Sequence, residues 1–247
     1  MLGQVRSEVC MTDKKGVGQL RSFYDNHYYA DTVAGSGVSL HLRRLARKLL
    51  PNPGQRILDV ACGTGEWLAA ASERRAKVSG VDIASRAVSL ARRRLPQGIF
   101  AEAVAEALPY ADDCFDLVSC LGALEHFPDK PGALREMCRV LDKDGRALIL
   151  VPNAGFLTRR LGLFRGTEQV AVREDVLTLE AWRTLFEANG FRIERRWGDL
   201  HLLSKDWLLK KGWPHLLPRL TQALALTVWP LNWQYQVYHL LVPVMKQ

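Results

Sequence analysis

From Arg56 to Val151, short runs of β-branched and other apolar residues alternate with longer segments in which apolar residues recur at helical spacing. The short runs predict strands and the longer segments predict amphipathic helices. Such alternation is typical of an α/β, doubly wound, mostly parallel sheet with helices on both faces. The predicted strands are Arg56–Val60, Lys77–Val81, Ile99–Val104, Phe115–Cys120 and Ala147–Val151, and the predicted helices are Glu66–Arg74, Ser85–Arg94 and Pro131–Leu141.

The segments on either side of this region predict further elements. Ser39–Leu50 has the pattern of a basic amphipathic helix, and two prolines shortly after it would end that helix. After the fifth predicted strand, residues 153–175 mix basic and apolar positions and are predicted to be an inserted substrate lid. Leu179–Asn189 then predicts a helix and Phe191–Trp197 another strand.

Both ends of the chain differ in composition from the middle. Residues 1–22 are polar and contain glycines, which predicts a poorly ordered leader. Residues 204–247 are rich in Leu, Trp and Pro, and prolines divide them into helix-length pieces. We predict an apolar helical extension there, which lies on an anionic membrane surface or packs on the sheet or in a homodimer interface. Residues 23–203 are predicted to form one domain.

The composition of the chain indicates which kinds of partner it binds and in which compartment it works. Lys and Arg outnumber Asp and Glu by 34 to 26, so the surface favours an anionic partner, unless it is simply solvated. Nucleic acid is not expected, because no zinc-finger spacing or RNA-binding aromatic signature accompanies the charge. Five cysteines without a CxxC pair indicate a reducing, cytoplasmic compartment, peripheral to the inner membrane face if the tail binds lipid. The histidines lack metal-ligand spacing, so no metal is expected.

The first predicted strand runs directly into a turn with the sequence ACGTG and then into a helix. Gly63 and Gly65 let the backbone turn tightly and approach a ligand at the helix N-terminus. The turn is neither the GxGxxG of dinucleotide-binding enzymes nor a phosphate-binding P-loop. A nucleotide-like ligand without a phosphate anchor is therefore favoured over a turn that merely packs the helix.

Acidic residues end the first two predicted strands. Asp82 follows the glycine turn by about twenty residues, where a carboxylate can accept both hydroxyls of a ribose. The alternative is that Asp82 caps the helix that begins near Ser85. Asp59 ends the first strand, so we expect it in the same crevice as Asp82.

Together with five longer motifs, these features resemble the class I S-adenosylmethionine-dependent methyltransferases, which have a Rossmann-like fold, and specifically their quinone and sterol branch. The motifs lie between about Phe23 and Trp197 and read RILDVACGTGEW, VSGVDIA, AEALPYADDCFDLVSC, LEHFPD and REMCRVLDKDGRALILVPN. The resemblance implies a transferase that uses S-adenosylmethionine and has an N-terminal lid. By that resemblance the cofactor contacts are Asp59, Gly63 and Gly65 at the methionine end, Asp82 at the ribose, Ala105 and Glu106 along the adenine, and Leu121 closing over it.

One position departs from the pattern of that family. Val104 stands where the family usually has Asp or Asn, whose side chain accepts a hydrogen bond from the adenine amino group; valine cannot accept one. The cofactor then binds more weakly, sits differently, or uses another acceptor such as Glu102 or Glu106. The alternative is that backbone contacts to the adenine suffice.

Candidate acceptor contacts come from the loop after the fourth strand and from both flanks. The resembled family places acceptor-binding groups in the loop that holds Glu125 and His126 here. Histidine suits a general base near neutral pH, so these two are the candidate catalytic residues, unless His126 only orients the loop. Tyr24 and Tyr28 are predicted to form an aromatic lid over the acceptor, and His201 together with Asp199 is predicted to line its pocket.

The resulting function hypothesis is group transfer from S-adenosylmethionine, by default of a methyl group, to a hydrophobic small molecule of the prenylated quinone type or its precursor. The first alternative is an enzyme of rhodoquinone biosynthesis, which resembles this branch but replaces a ubiquinone methoxy group by an amino group. The second is an RNA methyltransferase, although the Asn-Pro-Pro-Tyr type of motif is absent after the fourth strand. The third is a non-catalytic protein that binds S-adenosylmethionine or a membrane.

Overall fold

A computed structural model describes residues 14–32, 35, 37–50, 52–160, 162, 174–199 and 229–244. It contains a seven-stranded sheet with the strands β1 Arg56–Val60, β2 Lys77–Asp82, β3 Ile99–Glu102, β4 Phe115–Leu121, β5 Leu141–Pro152, β6 Phe191–Gly198 and β7 Gln236–Pro243. The helices are α1 Lys14–Phe23, α2 Leu40–Leu49, α3 Glu66–Ser72, α4 Ser85–Arg94, α5 Lys130–Val140, α6 Leu157–Arg160 and α7 Leu179–Ala188. A π-helical turn at Tyr24–Tyr28 and 3-10 turns at Leu124–His126 and Leu231–Trp233 complete the described elements.

The strand order is β3-β2-β1-β4-β5-β7-β6. Every pairing from β3 to β5 is parallel, whereas β7 is antiparallel to both β5 and β6. This confirms the predicted α/β, mostly parallel, doubly wound architecture. The order reverses between β1 and β4, and ligands of open α/β sheets bind at such a switch point, outside the carboxyl ends of the strands.

Two apolar clusters cover the two faces of the sheet. On one face, Met137 of α5 and the fully buried Trp182 and Phe186 of α7 pack against β4, β5 and β7. On the other face, α2, α3 and α4 pack against β1 and β2, with Leu68 of α3 fully buried. Burial on both faces explains why the central strands read as nearly continuous apolar runs.

The predicted helix at the C-terminal end is wrong for Gln236–Pro243, which form β7 inside the sheet. Six residues of β7 pair with β5, and seven register pairs join it to β6. Tyr238 is 2% exposed and His239 is fully buried, and burial lowers the pKa of His239 to about 4. This segment therefore belongs to the core domain and is no detachable extension. An apolar run of eight residues fits a strand or a helix equally well, and β-branched and aromatic residues favour the strand.

Residues 14–22 of the predicted leader lie in α1. Arg21 of this helix forms an ion pair with Glu102 at the end of β3, with 2.9 Å between Nη2 and Oε1. His201, residues 200–228 and most of the predicted lid lie outside the described residues. Within the described ranges, no helix is long and apolar enough to cross a membrane.

Candidate active site

A cavity of about 540 Å³ opens at the carboxyl ends of β1, β2, β4 and β5. Its volume is within the range of about 300–1,000 Å³ that is typical of small-molecule sites. Because β7 runs antiparallel to its neighbours, its amino end reaches the same edge, as does the carboxyl end of β6. Predicted site residues that line the cavity are Tyr24, Tyr28, Asp59, Gly63, Asp82, Leu121 and His126.

The glycine turn after β1 forms the floor of the cavity through backbone conformations that favour glycine. Gly63 has φ +53°, and a Cβ built on it would lie 2.9 Å from the hydroxyl of Tyr29. Gly65 has φ +76° and precedes α3, and its Cβ would meet Ala91 of α4 at 3.4 Å. Gly63 thus allows a close approach at the cavity, while Gly65 allows the two helices to pack.

Asp82 ends β2 with its carboxylate fixed toward the glycine turn. The backbone N–H of Gly63 donates to Oδ2 at 2.8 Å, and that of Ala84 donates to Oδ1 at 2.9 Å. The side chain is 6% exposed, and burial raises its pKa. The alternative that Asp82 caps α4 is not what the structure shows, since the amide of Arg86, in the first turn of α4, donates instead to Asp25.

A buried hydrogen-bond network holds Asp59. The hydroxyl of Ser119 on β4 lies 2.7 Å from Asp59 Oδ1, and the indole N–H of Trp67 on α3 donates to that hydroxyl at 2.9 Å. Burial raises the pKa of Asp59 to about 7, and the negative charge of Asp82 adds to the rise. A cation bound in the cavity would therefore stabilise the ionised form of Asp59.

The charge of the cavity is opposite to that of the whole chain. Among the described residues, its lining has four carboxyl groups and neither Lys nor Arg, although the chain carries a net charge of +8. A ligand with phosphate groups would be repelled, whereas a ligand with ammonium or sulfonium charge would be attracted. The four acidic residues are Asp59, Glu66, Asp82 and Asp199.

A small apolar slot adjoins the cavity beside Asp82. It is lined by Val104, Ala105 and Glu106 and shares Asp82 with the main cavity. Glu106 accepts a hydrogen bond from the Asp129 N–H at 3.4 Å, and burial raises its pKa. Of the two acceptors considered in place of Val104, Glu106 lines the slot, while Glu102 pairs with Arg21.

The π-helical turn brings an aromatic cluster over the glycine turn. Tyr28 and Tyr29 pack edge to face, with ring centroids 4.9 Å apart, and burial raises the pKa of Tyr24 to about 12. Asp25 anchors this segment, because its Oδ1 accepts the backbone N–H of Arg86 at 2.9 Å. The aromatic rings are thus held at the cavity by the hydrogen bond between Asp25 and the first turn of α4. The sequence pattern did not indicate this long-range contact.

The two predicted catalytic residues differ in their placement. His126 lines the cavity, whereas Glu125 is 3% exposed behind it. Oε2 of Glu125 has no hydrogen-bond partner among the residues that the structure describes. Burial raises the pKa of Glu125 to about 7, and the nearby charge of Glu174 contributes. The carboxyl group is thus poised between its neutral and charged forms near neutral pH.

The structure shows a polar cluster at the opposite end of the cavity, of which the sequence indicated only Asp199. His41 of α2, Tyr238 of β7 and Asp199 after β6 all line it. Nε2 of His41 is 3.0 Å from the hydroxyl of Tyr238 and 3.3 Å from Oδ1 of Asp199. No local signal could indicate His41 and Tyr238 as partners of Asp199, because the three residues come from distant segments of the chain.

Replacing Gly63 with alanine tests the close approach at the turn. The new Cβ would lie 2.9 Å from the Tyr29 hydroxyl, so Tyr29 must move into the cavity or away from it. We expect a loss of about 1 kcal/mol in stability from the positive φ, together with a roughly tenfold loss of ligand affinity. Calorimetric titration with the ligand proposed below measures the affinity.

Gly54→Ala is the matched control for this substitution. Gly54 also has a positive φ, +80°, but a Cβ there meets nothing within 4 Å. It should therefore lose similar stability and keep full affinity. Equal affinities of the two variants would contradict the role assigned to Gly63.

Comparisons with known proteins agree with this geometry. Residues 34–195 match the family model of the methyltransferase domain. A protein named uncharacterized methyltransferase YcgJ, from Bacillus subtilis, is 32% identical over 170 residues, which cover 64% of this chain and 66% of the relative. The ubiquinone/menaquinone biosynthesis C-methyltransferase UbiE of Geotalea uraniireducens is 36% identical over 147 residues, 56% of this chain and 61% of the relative. The chain thus matches about two thirds or less of these relatives' lengths.

A solved structure of similar fold contains a ligand of interest. Phosphoethanolamine N-methyltransferase 2 of Haemonchus contortus, in complex with S-adenosyl-L-methionine, has a TM-score of 0.63 and 18% identity. The match covers 91% of this chain and 60% of that one. At this level of identity the likeness shows the fold.

Proposed function

The chain belongs to the class I S-adenosylmethionine-dependent methyltransferase family, and we propose that it methylates a hydrophobic small molecule of the quinone type. The observation that carries this proposal is the acidic cavity over the glycine turn, whose described lining has no Lys or Arg to anchor a phosphate. S-adenosylmethionine carries a sulfonium and an ammonium group and no phosphate. The residues present therefore fit this cofactor better than a dinucleotide.

The cofactor's nucleoside would lie along β1 to β3. The carboxylate of Asp82, already oriented by two backbone N–H groups, would accept the ribose hydroxyls. The adenine would enter the apolar slot beside Ala105, with Glu106 as the acceptor that Val104 cannot provide. Leu121, at the end of β4, would close the other side of the cofactor.

The methionine end would lie over the glycine turn, where Gly63 permits the backbone to approach it. Bound S-adenosylmethionine supplies a methyl group activated by the sulfonium charge. Asp59 and Glu66 provide negative charge on this side of the cavity, and the rings of Tyr24 and Tyr28 line it. The chain's own contribution is to position the acceptor in line with that methyl group.

A hydrophobic acceptor is supported by two observations. Apolar side chains of α2 and β5, Leu42 and Leu150, line the cavity. Among the relatives, several are named as methyltransferases of ubiquinone and menaquinone biosynthesis. His126 lies at the cavity as the predicted base, and the buried Glu125 next to it in sequence would tune its loop.

The test is a mass measurement on the acceptor. The purified protein is incubated with S-adenosylmethionine and a demethylmenaquinol that carries a short prenyl tail, and the products are examined by mass spectrometry. A methyl gain, absent without S-adenosylmethionine, is the expected result. No methyl gain by this quinol or by ubiquinone precursors would contradict the quinone proposal.

The same measurement addresses the rhodoquinone alternative. Ubiquinone is offered in parallel, and exchange of a methoxy for an amino group would identify that reaction. The observation that supports testing this reaction is Val104, which lines the adenine slot and departs from the family's usual Asp or Asn. An RNA acceptor is disfavoured, because the acidic lining of the cavity would repel a phosphate backbone.

A further inference from the structure

The cavity extends well beyond the half that would hold the cofactor. Asp82 at the end of β2 and Tyr238 near the start of β7 both line it, and four steps of the sheet order separate those strands. At about 4.8 Å per step, the two ends are roughly 19 Å apart across the sheet. The far end, over β5, β7 and β6, is therefore available to the acceptor.

Tertiary contacts from three elements fix the side chains at this end. Tyr238 pairs in register with Leu150 of β5 and with Trp197 of β6, and its ring stacks on Trp197 with centroids 5.4 Å apart. On α2, His41 reaches the Tyr238 hydroxyl, while Lys48 places its ammonium 4.0 Å from the centre of the Trp197 ring. His41 and Lys48 are seven residues apart and thus share one face of the helix. Helix α2 is held to the sheet at both points.

The chemistry of this cluster is that of a supported base. Asp199 has 5% of its side chain exposed, and its Oδ1 is 3.3 Å from His41 Nε2. The same nitrogen is 3.0 Å from the Tyr238 hydroxyl, whose pKa burial holds far above its usual range. Tyr238 therefore stays protonated and can donate to Nε2 in the free cavity. The acceptor's hydroxyl would take the place of that hydrogen bond to reach the Nε2 lone pair, and the imidazolium that forms would be stabilised by the Asp199 carboxylate.

We propose that His41, in place of His126, is the base that accepts the proton of the acceptor's hydroxyl group, with Asp199 and Tyr238 as its positioning residues. This inference rests on the proposed function and narrows its acceptor class to molecules with an ionisable ring hydroxyl, such as a phenol or a reduced quinone. In this proposal the base lies near β7, at the other end of the cavity from the proposed nucleoside site along β1 to β3.

The proposed step balances. The O–H bond of the acceptor breaks, and its proton bonds to His41 Nε2. The electron pair left on the oxygen, or on a ring carbon conjugated with it, forms the bond to the methyl carbon, and the carbon–sulfur pair goes to sulfur. Attack through oxygen ends when the His41 imidazolium gives its proton to water. Attack through carbon ends when the ring C–H proton leaves to water and His41 returns its proton to the oxygen.

A binding experiment tests the base without methyl transfer. The full chain is saturated with S-adenosylhomocysteine and titrated with 4-nitrophenol at a pH below the solution pKa of that phenol. We expect a saturable nitrophenolate absorbance in the wild type, its loss in His41→Gln, and a weaker band in Asp199→Asn. His27→Gln is the matched control, because His27 is exposed and is not among the residues that line the cavity, and it should keep the band.

A second readout is the affinity of each variant for S-adenosylmethionine, which also shows whether the variant is folded. This affinity should be unchanged in His41→Gln. With an active acceptor, His41→Gln should lower kcat by roughly 100-fold or more and leave KM similar. Absence of the nitrophenolate band in the wild type, its persistence in His41→Gln, or a loss of cofactor affinity in that variant would each overturn the proposal. If the band forms but no quinol gains a methyl group, the quinone proposal fails and the base assignment stands.

Discussion

Replacing Asp82 with alanine is expected to reduce the affinity for S-adenosylmethionine by at least about 100-fold. Hydrogen bonds to a charged group contribute about 1.5–3 kcal/mol each, and the carboxylate would lose two of them to the ribose. The substitution also leaves the N–H groups of Gly63 and Ala84 without their partner, so the glycine turn loosens. Calorimetric titration with S-adenosylmethionine measures the effect.

Two further variants separate binding from folding. Asp82→Asn keeps the shape of the side chain and one acceptor oxygen, and we expect it to retain the fold but bind weakly. Glu102→Gln is the control, because Glu102 is the register partner of Asp82 on β3 yet forms an ion pair with Arg21 away from the cavity. It should bind like the wild type. Wild-type affinity in a folded Asp82→Asn protein would refute the ribose assignment.

Truncation after Tyr235 is expected to abolish cooperative folding and cofactor binding together. It removes β7, which is paired on both sides, and so separates β6 from the rest of the sheet. Four apolar side chains of β7 are buried, and at about 1.5–3 kcal/mol each they contribute roughly 6–12 kcal/mol, close to the whole stability of a typical domain. These side chains are Val237, Tyr238, Leu240 and Leu241.

Truncation after Val244 is the matched control. It removes three residues and keeps β7 and the hydrogen bond from the Val244 N–H to the Gly190 carbonyl at 2.8 Å. This variant should melt cooperatively and bind S-adenosylmethionine. Circular dichroism melts and titration of both truncations decide the matter. Retained binding after removal of β7 would mean that the C-terminal segment is a separate module after all.

Local patterns predicted most of the sheet and the cofactor half of the site. Strand β1 was predicted with its observed bounds, and β2 and β4 within one residue, because each is a short apolar run buried on both faces. Carboxyl ends of parallel strands meet at one edge of the sheet. The position of Asp59, Asp82 and the glycine turn in the chain was therefore enough to place them together.

The remaining features depended on contacts between distant segments. Strand β7 follows β6 in the chain but lies between β5 and β6, and no periodicity shows which edge of a sheet a strand joins. The aromatic cover is set by Asp25 at the first turn of α4, a contact over 61 positions. Such long-range pairing depends on how much apolar surface the whole fold buries, and not on the secondary-structure preference of each segment.

By itself, the sequence determined the α/β class, the family and an acidic cofactor crevice, because each depends on residues close together in the chain or on strand ends that must coincide. Only the tertiary structure decided what lines the end of the cavity that we propose for the acceptor. His41, Asp199 and Tyr238 are separated by 158 and 39 positions along the chain. They meet because α2 packs over the sheet where β7 inserts beside β6, and that insertion results from burying an apolar strand on both faces.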